Sequence, residues 1–373
     1  MDPTYMTWYF HGEYPSESPQ HGNDGNDVEM PETYEMYRDV FFEDDNDGVS
    51  DLNYETREAE FQKALENAET PLYPECTKYT IMFAIVALYK HKAAHNLSDT
   101  CFDGLLKFFG DMLPDNNKLP ESFYETKKIL KTFDLGYEKI DACKNHCFLF
   151  TKENKHINEC PKCGVSRWKE NERTKKVQDG VPTKVLRYFP ILPRFRRMFR
   201  SPEIVEQVMW HSTHRSRDRK MRHLVDTPAW HEIDKAWPSF ASDSRNLRLG
   251  LSTDGFNPFG NLSSAYSCWP VMLVVYNFPP LVLMSKENMM LTLQIPGPKQ
   301  PGNDIDVYLE PLIDDLKELW DKGVEIYDAF AKSKFNLKVI LMWTISNLPA
   351  YSNLSSHVTK GKKACPICSD DTC

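Results

Sequence analysis

Four cysteines between positions 143 and 163 constrain this chain more than any other feature. They follow the pattern Cys143-x3-Cys147-x12-Cys160-x2-Cys163, two close pairs set apart by a spacer of hairpin length. Two such pairs supply four thiolates for one tetrahedral zinc ion. Pro161, Lys162 and Gly164 around the second pair suit a tight turn that aims both sulfurs inward. The start of the chain, Met1-Asp2-Pro3, lacks a basic stretch leading into an apolar one. A reducing compartment is therefore expected, and clustered cysteines there favour metal over disulfides. With four ligands the site is closed and structural, leaving no open position for catalysis. His146 lies beside Cys147 and could replace it as a ligand, which spacing alone leaves open.

Charge divides the chain. Residues 1–75 hold 20 Asp and Glu against 3 Lys and Arg, a balance of −17, while the remaining 298 residues hold 34 against 42, or +8. An acidic leader joined to a basic body suits a body that meets polyanions. No run of eighteen apolar residues exists, so a membrane span is excluded as a reading. The length of 373 residues allows two or three domains, and 41% hydrophobic residues suffice for a core.

Residues 14–72 are rich in Asp, Glu, Asn, Gly, Ser and Pro without a sustained period. They are expected to be mostly disordered, with a short helix over Tyr54–Ala68. Apolar periodicity predicts helices over Thr77–Lys92 and Ser98–Leu113, and Pro120 with Ser122 opens a third through Lys131. After the cysteines and a proline-punctuated basic stretch, Leu247–Thr253, Pro270–Phe278 and Met289–Ile295 read as strands. Steps of three and four between Asp304 and Phe330 predict one long amphipathic helix, and Phe335–Ile345 another strand. The order β-β-β-α-β is the opening order of a ribonuclease H-like fold, although many α/β domains begin this way.

Three further features bear chemistry. The cations Arg187, Arg194, Arg196, Arg197 and Arg200 interleave with Tyr188, Phe189, Phe195 and Phe199, and Arg215, Arg217, Arg219 and Lys220 form a second run. Guanidinium groups beside aromatics suit phosphate contact and base stacking, and a solvated face or a localisation signal is the competing reading. Asp254 follows the strand LRLGLST and precedes a glycine, a place from which a carboxylate can hold Mg²⁺ or serve as a plain turn residue. The corresponding position after the last strand is Asn347, an amide. Asp304, Asp306 and Glu310 are nearby acids, but they fall in the first turns of the long helix. Cys365 and Cys368 form half of a second zinc site.

From about Tyr73 to Cys368 the chain resembles plant CACTA (En/Spm-type) transposases. The resemblance rests on KVLRYFPILPRFRRMFRS (184–201), RNLRLGLSTDGFNPFG (245–260), YSCWPVMLVVYNFPP (266–280), IPGPKQPGNDIDVYLEPLIDDLKELWDKGVE (295–325) and TKGKKACPIC (359–368). Trp8-Tyr9-Phe10-His11-Gly12-Glu13 resembles the end of the small transposase-associated module that precedes this region in the family. The resemblance implies a nuclear DDE-type enzyme acting on DNA at transposon terminal sequences, with two Mg²⁺ or Mn²⁺ ions driving in-line attack on a phosphodiester. Asp254 matches the family's first catalytic aspartate. The second aspartate aligns with Asn347, and the third acidic residue, a glutamate beyond the CxxC, has no counterpart before Cys373. A truncated, catalytically inactive transposase-derived protein is therefore expected. The alternative is a retained DNA- or protein-binding regulatory factor without catalysis. Homo-oligomers and protein partners stay open, and no membrane association is expected.

The expected fold class is α/β (α+β overall). Its parts are an acidic leader ending in a transposase-associated module (1–72), a helical module (73–140) and a zinc-binding hairpin (141–168). A basic linker with DNA contacts (169–245) and an incomplete ribonuclease H-like β-β-β-α-β core (246–373) complete it.

Overall fold

The computed structural model describes residues 70–355 apart from 96, 133–136, 172, 217, 219, 258–265 and 286–287. The acidic leader, the helix expected over Tyr54–Ala68, Arg217, Arg219 and the Cys365/Cys368 pair lie outside the described residues.

The first helices among the described residues are α1 (Ile81–Ala94), α2 (Asp99–Met112) and α3 (Phe123–Thr132). The Ser98 hydroxyl caps α2 by accepting from the Cys101 N–H at 3.2 Å. Phe102, Leu106 and Phe123 form a small core of their own between these helices.

The chain then enters a mixed α/β body. Its strands are β1 (Glu138–Ala142), β2 (Leu149–Phe150), β3 (Trp168–Glu170), β4 (Val177–Pro182) and β5 (Val185–Tyr188). Helices α4 (Ile191–Met198), α5 (Pro202–Thr213), α6 (Pro228–Ala236) and the single turn α7 (Pro238–Ala241) follow. Ser201 and Thr227 each stand one residue before a proline at the first helical position, and each accepts from the backbone three residues on. A cap plus proline starts α5 and α6 where the sequence dictates. The last part comprises β6 (Leu247–Thr253), β7 (Trp269–Val275), the turn α8 (Pro280–Leu283), β8 (Met289–Ile295), α9 (Ile305–Asp321), β9 (Val324–Asp328), β10 (Ser333–Leu337), β11 (Val339–Ile345) and α10 (Leu348–Ser355).

Seven strands form one sheet in the order β11-β6-β7-β8-β5-β1-β2. Only the β11–β6 pair is parallel, and the other pairs are antiparallel. The sheet thus extends through residues 138–188, joined to the later strands by β5 beside β8. Alternate residues Leu249, Leu251, Val271, Leu273, Leu293, Ile295 and Leu186 face one core together with Ile305, Tyr308, Leu312 and Leu316 of α9. Tyr188 donates from that face to the Asp315 carboxylate on α9. Burial pushes the Asp315 carboxyl above the usual carboxylate range, and the Tyr188 hydrogen bond opposes this.

Two expectations change here. The long helix ends at Asp321 rather than near Phe330. Gly323 adopts φ 71°, the left-handed conformation that closes helices, and its N–H bonds back to Glu318. Beyond it Ile326 and Asp328 alternate inward as β9. The strand expected over Phe335–Ile345 is likewise two strands. β10 pairs with β9, and the chain passes into the main sheet at Lys338, whose N–H donates to Asn246 Oδ1 at 2.8 Å.

Gly250 sits mid-strand in β6 beneath the Tyr276 ring, which reaches across to Trp343 with centroids 5.3 Å apart. A Cβ on Gly250 would lie 2.0 Å from the Tyr276 hydroxyl. Alanine normally improves a strand over glycine, but here the overlap decides the sign. Gly250→Ala is expected to lower stability by about 1–3 kcal/mol. An unchanged urea midpoint would show that the ring swings aside freely.

Candidate functional site

The four cysteines meet as spacing requires. Two turns deliver them. Cys143 donates its N–H to Phe148 O at 2.8 Å, closing the first turn, and His146 takes φ 65° within it. In the second, Gly164 with φ 69° donates back to Cys160 O at 2.8 Å. The sulfurs of Cys143, Cys147, Cys160 and Cys163 all lie within 4.8 Å of one another. Separations are 3.4 Å for Cys143–Cys163, 3.5 Å for Cys147–Cys160 and 3.6 Å for Cys143–Cys147. Zn–S bonds of about 2.3 Å in a tetrahedron put sulfurs about 3.8 Å apart, so this donor set fits zinc. The Asn145 N–H points at Cys143 Sγ (3.4 Å), a hydrogen bond that favours the thiolate. The Val165 N–H holds the exposed Cys163 thiol down to about 6, whereas burial pushes Cys143 and Cys147 up. Among the described residues this is the sole group of three or more clustered side chains able to hold a metal ion.

His146 is turned away from the sulfurs. Its Nε2 lies 2.9 Å from Lys184 Nζ and its Nδ1 3.0 Å from the Tyr308 hydroxyl on α9. Burial, then the neighbouring Lys184 cation, lowers its pKa to about 4, so the ring is neutral at physiological pH. Burial also lowers Lys184 to about 8. The clustered sulfurs are thus Cys147 with the other three, and His146 ties the turn to α9. Tyr308 escapes sequence reasoning, because no local pattern links a helical tyrosine to a turn 162 residues earlier.

The second place of interest is the carboxyl-terminal edge of the parallel pair β6 and β11. Their register aligns Ser252 with Ile345, which brings Asp254 and Asn347 side by side just beyond the strands. Asn347 Nδ2 donates to Asp254 Oδ2 at 2.9 Å. The other aspartate oxygen accepts from the Gly255 N–H at 2.7 Å, and Asn347 Oδ1 accepts from Ala350 N at 2.9 Å at the start of α10. Each side-chain oxygen and nitrogen of the pair has a partner within the chain. One carboxylate, with an amide where a second would stand, does not supply the several anionic oxygens that a pair of hard divalent cations takes. Asp304 and Asp306 lie at the start of α9, and Glu310 pairs with Lys152 at 3.5 Å.

The first basic run is placed differently from a solvated face, whereas Arg215 and Lys220 of the second are exposed. Arg187, Arg194, Arg196, Arg197 and Arg200 are all half-buried. Arg187 lies over the Tyr137 ring at 5.5 Å, Tyr137 packs on Phe189 at 5.4 Å, and Arg194 lies over Phe189 at 5.5 Å. Arg194 also donates to Leu291 O at 2.6 Å, and burial lowers its pKa to about 10. The expected alternation of guanidinium and aromatic groups therefore exists inside the fold. In the second run Arg215 pairs with Asp234 at 2.6 Å, and Lys220 is exposed.

With this geometry described, the comparisons with known proteins add one finding. The model of transposase family tnp2 matches residues 218–373, a stretch that includes Asp254 and Asn347 and begins after the cysteine cluster. This supports a transposase relationship for the second part of the chain. No curated protein matches it. No helix among the described residues is long and apolar enough to cross a membrane.

Proposed function

We propose that this chain is a transposase-derived protein of the CACTA type that binds DNA in the nucleus and does not cleave it. Its ribonuclease H-like core comprises β6–β8, α9 and β11. The order β8-β7-β6-β11, with β11 parallel to β6 after a helical crossover, supports that reading of the fold. The family match over 218–373 supports the transposase origin. The cysteine cluster holds a structural zinc ion.

One observation carries the inactivity: Asn347 donates an N–H to Asp254 at the point where a second carboxylate would face a shared cation. An amide nitrogen offers no lone pair to a metal, and it neutralises the geometry that repulsion between two carboxylates would otherwise create. Asp254 and Asn347 here act as a hydrogen-bonded brace between two strand ends. The purified chain is expected to show no Mg²⁺-dependent nicking of duplex DNA. Asn347→Asp keeps the acceptor for Ala350 N and replaces the N–H with an oxygen. Saturable Mn²⁺ binding is therefore expected in Asn347→Asp, absent from the unaltered chain and lost again in the Asp254→Ala/Asn347→Asp double variant. Clear cleavage by the unaltered chain, abolished by Asp254→Ala, would sink the proposal.

A further inference from the structure

Two lysines among the described residues are buried, Lys92 and Lys184. Lys92 has a counter-charge, Asp99 at 3.2 Å, and it lies over the Phe123 ring at 4.4 Å. Lys184 pairs with no carboxylate among the described residues, and its ammonium meets the His146 ring at 2.9 Å. Burying an ammonium is costly unless an opposite charge compensates it. A neutral imidazole does not.

The sheet decides where this cation goes. Val185 of β5 pairs with Asp141 of β1, and Lys184 O accepts the Ala142 N–H at 2.9 Å. Lys184 therefore stands across the ladder from the residue before Cys143. His146, in the first cysteine turn, receives its side chain. An ammonium can only donate, so Lys184 donates to His146 Nε2, and the neutral ring keeps its proton on Nδ1. That Nδ1–H donates to the Tyr308 hydroxyl at 3.0 Å. Tyr308 is fully buried on α9, so an anchor outside the hairpin fixes the ring and, through it, the ammonium.

Negative charge gathers next to it. One Zn²⁺ with four thiolates leaves two negative charges in excess. Cys143 and Cys160 are buried, so water screens that excess poorly. Cys143 is also the group whose charge opposes the effect of burial on the Lys184 ammonium. A buried cation without a carboxylate thus adjoins a ligand set that accumulates the opposite sign.

We infer that Lys184 is the counter-ion of the zinc centre, held beside Cys143 by His146 and Tyr308 to balance the charge of the four thiolates. It touches no reacting atom and acts as a positioning residue. Its attraction for the thiolates makes the fully deprotonated ligand set easier to form and zinc harder to lose, as outer partners of metal ligands do. The inference rests on the zinc reading above and deepens it.

The test strips the full chain of metal and titrates it with zinc in competition with a chromophoric chelator. Lys184→Met keeps the length of the side chain without its charge, and is expected to weaken zinc binding about 10–100-fold. Lys184→Arg restores the charge and is expected to recover most of that affinity. A residue that served packing alone would also lower the urea midpoint of the metal-free chain. Lys184→Met is expected to leave that midpoint unchanged or raised, because it removes an ammonium that has no thiolate to balance it there. If the unaltered chain binds zinc and Lys184→Met binds it equally well, the counter-ion assignment is wrong while the zinc site stands. An equal loss in Lys184→Arg, or a lowered metal-free midpoint in Lys184→Met, assigns the effect to shape and overturns it too. If the unaltered chain binds no zinc at all, the zinc reading itself falls.

Discussion

Replacing Cys160 with serine is expected to abolish zinc binding and to release the order of the chain from Cys143 to about Thr183. The reason is the composition of the local core. The cluster packed there consists of Cys143, Phe150 and Cys160, with Cys147, Phe148 and Ile157 around it. Half of that core is cysteine from the proposed zinc site, and two phenylalanines and one isoleucine cannot offset the conformational entropy of some forty residues at about 1–2 kcal/mol each. Zinc in small modules contributes apparent free energies of about 10–16 kcal/mol, comparable to the whole stability of a domain. Three remaining thiolates would bind far more weakly and leave the hairpin without its cross-link.

The effect should be confined. β6 and β7 take their burial from Leu249, Leu251, Val271 and Leu273, which do not touch the cysteines, so the central sheet should persist. Elemental analysis should give one zinc per chain before substitution and none after it. Hydrogen exchange should rise steeply over 143–183 and stay slow in β6 and β7. Unchanged zinc content in Cys160→Ser would show that the four sulfurs are not the ligand set. Fast exchange throughout the chain would show that the sheet depends on the hairpin. Because Arg167 roots strands β3 and β4 against this same core, exchange in those two strands is expected to rise with that of the cysteine turns.

What was legible in the sequence follows the range of the interactions. The cysteine turns were legible because two residues of each pair sit within five positions and glycine marks the second turn. β6, β7 and β8 were legible because their apolar runs stop at Gly, Pro and Asn clusters. The end of α9 was not, because Val324 continues a helical spacing by chance and a single glycine at 323 outweighs it. The place of β5 in the sheet was hidden for a different reason. Its partner Gln294 lies more than one hundred residues from Arg187, and no local pattern encodes such a pairing. The arginines from 187 to 200 show the same limit. A guanidinium next to aromatics has one sequence signature whether it stacks on a base or on Tyr137 and Phe189. Asp254 and Asn347 were identifiable one by one, but their hydrogen bond depends on the parallel register of two strands ninety residues apart.

The same principle makes Arg248 the position where one substitution should cost most stability outside the metal site. It lies in β6 at 1% exposure, its guanidinium between the rings of Trp230 (4.6 Å) and Phe240 (4.8 Å). Nη2 donates to Asp234 Oδ1 at 2.5 Å, and Arg215 reaches the other oxygen of the same carboxylate. Burial lowers the Arg248 pKa and the Asp234 charge opposes it, while the guanidinium stays protonated with or without its partner. Arg248→Ala leaves a cavity between two large rings and removes the buried partner of Asp234. A loss of about 3–5 kcal/mol is expected, read from the urea midpoint. Arg248→Met refills most of the volume and should recover part of the loss. Asp234→Leu alone strands the Arg248 charge in the core and should cost as much as Arg248→Ala. Combining Arg248→Met with Asp234→Leu removes both buried charges, and the double variant should be more stable than Asp234→Leu alone. A double variant whose loss equals the sum of the two single losses would show that the ion pair contributes nothing and that packing on Trp230 and Phe240 is the whole of the effect.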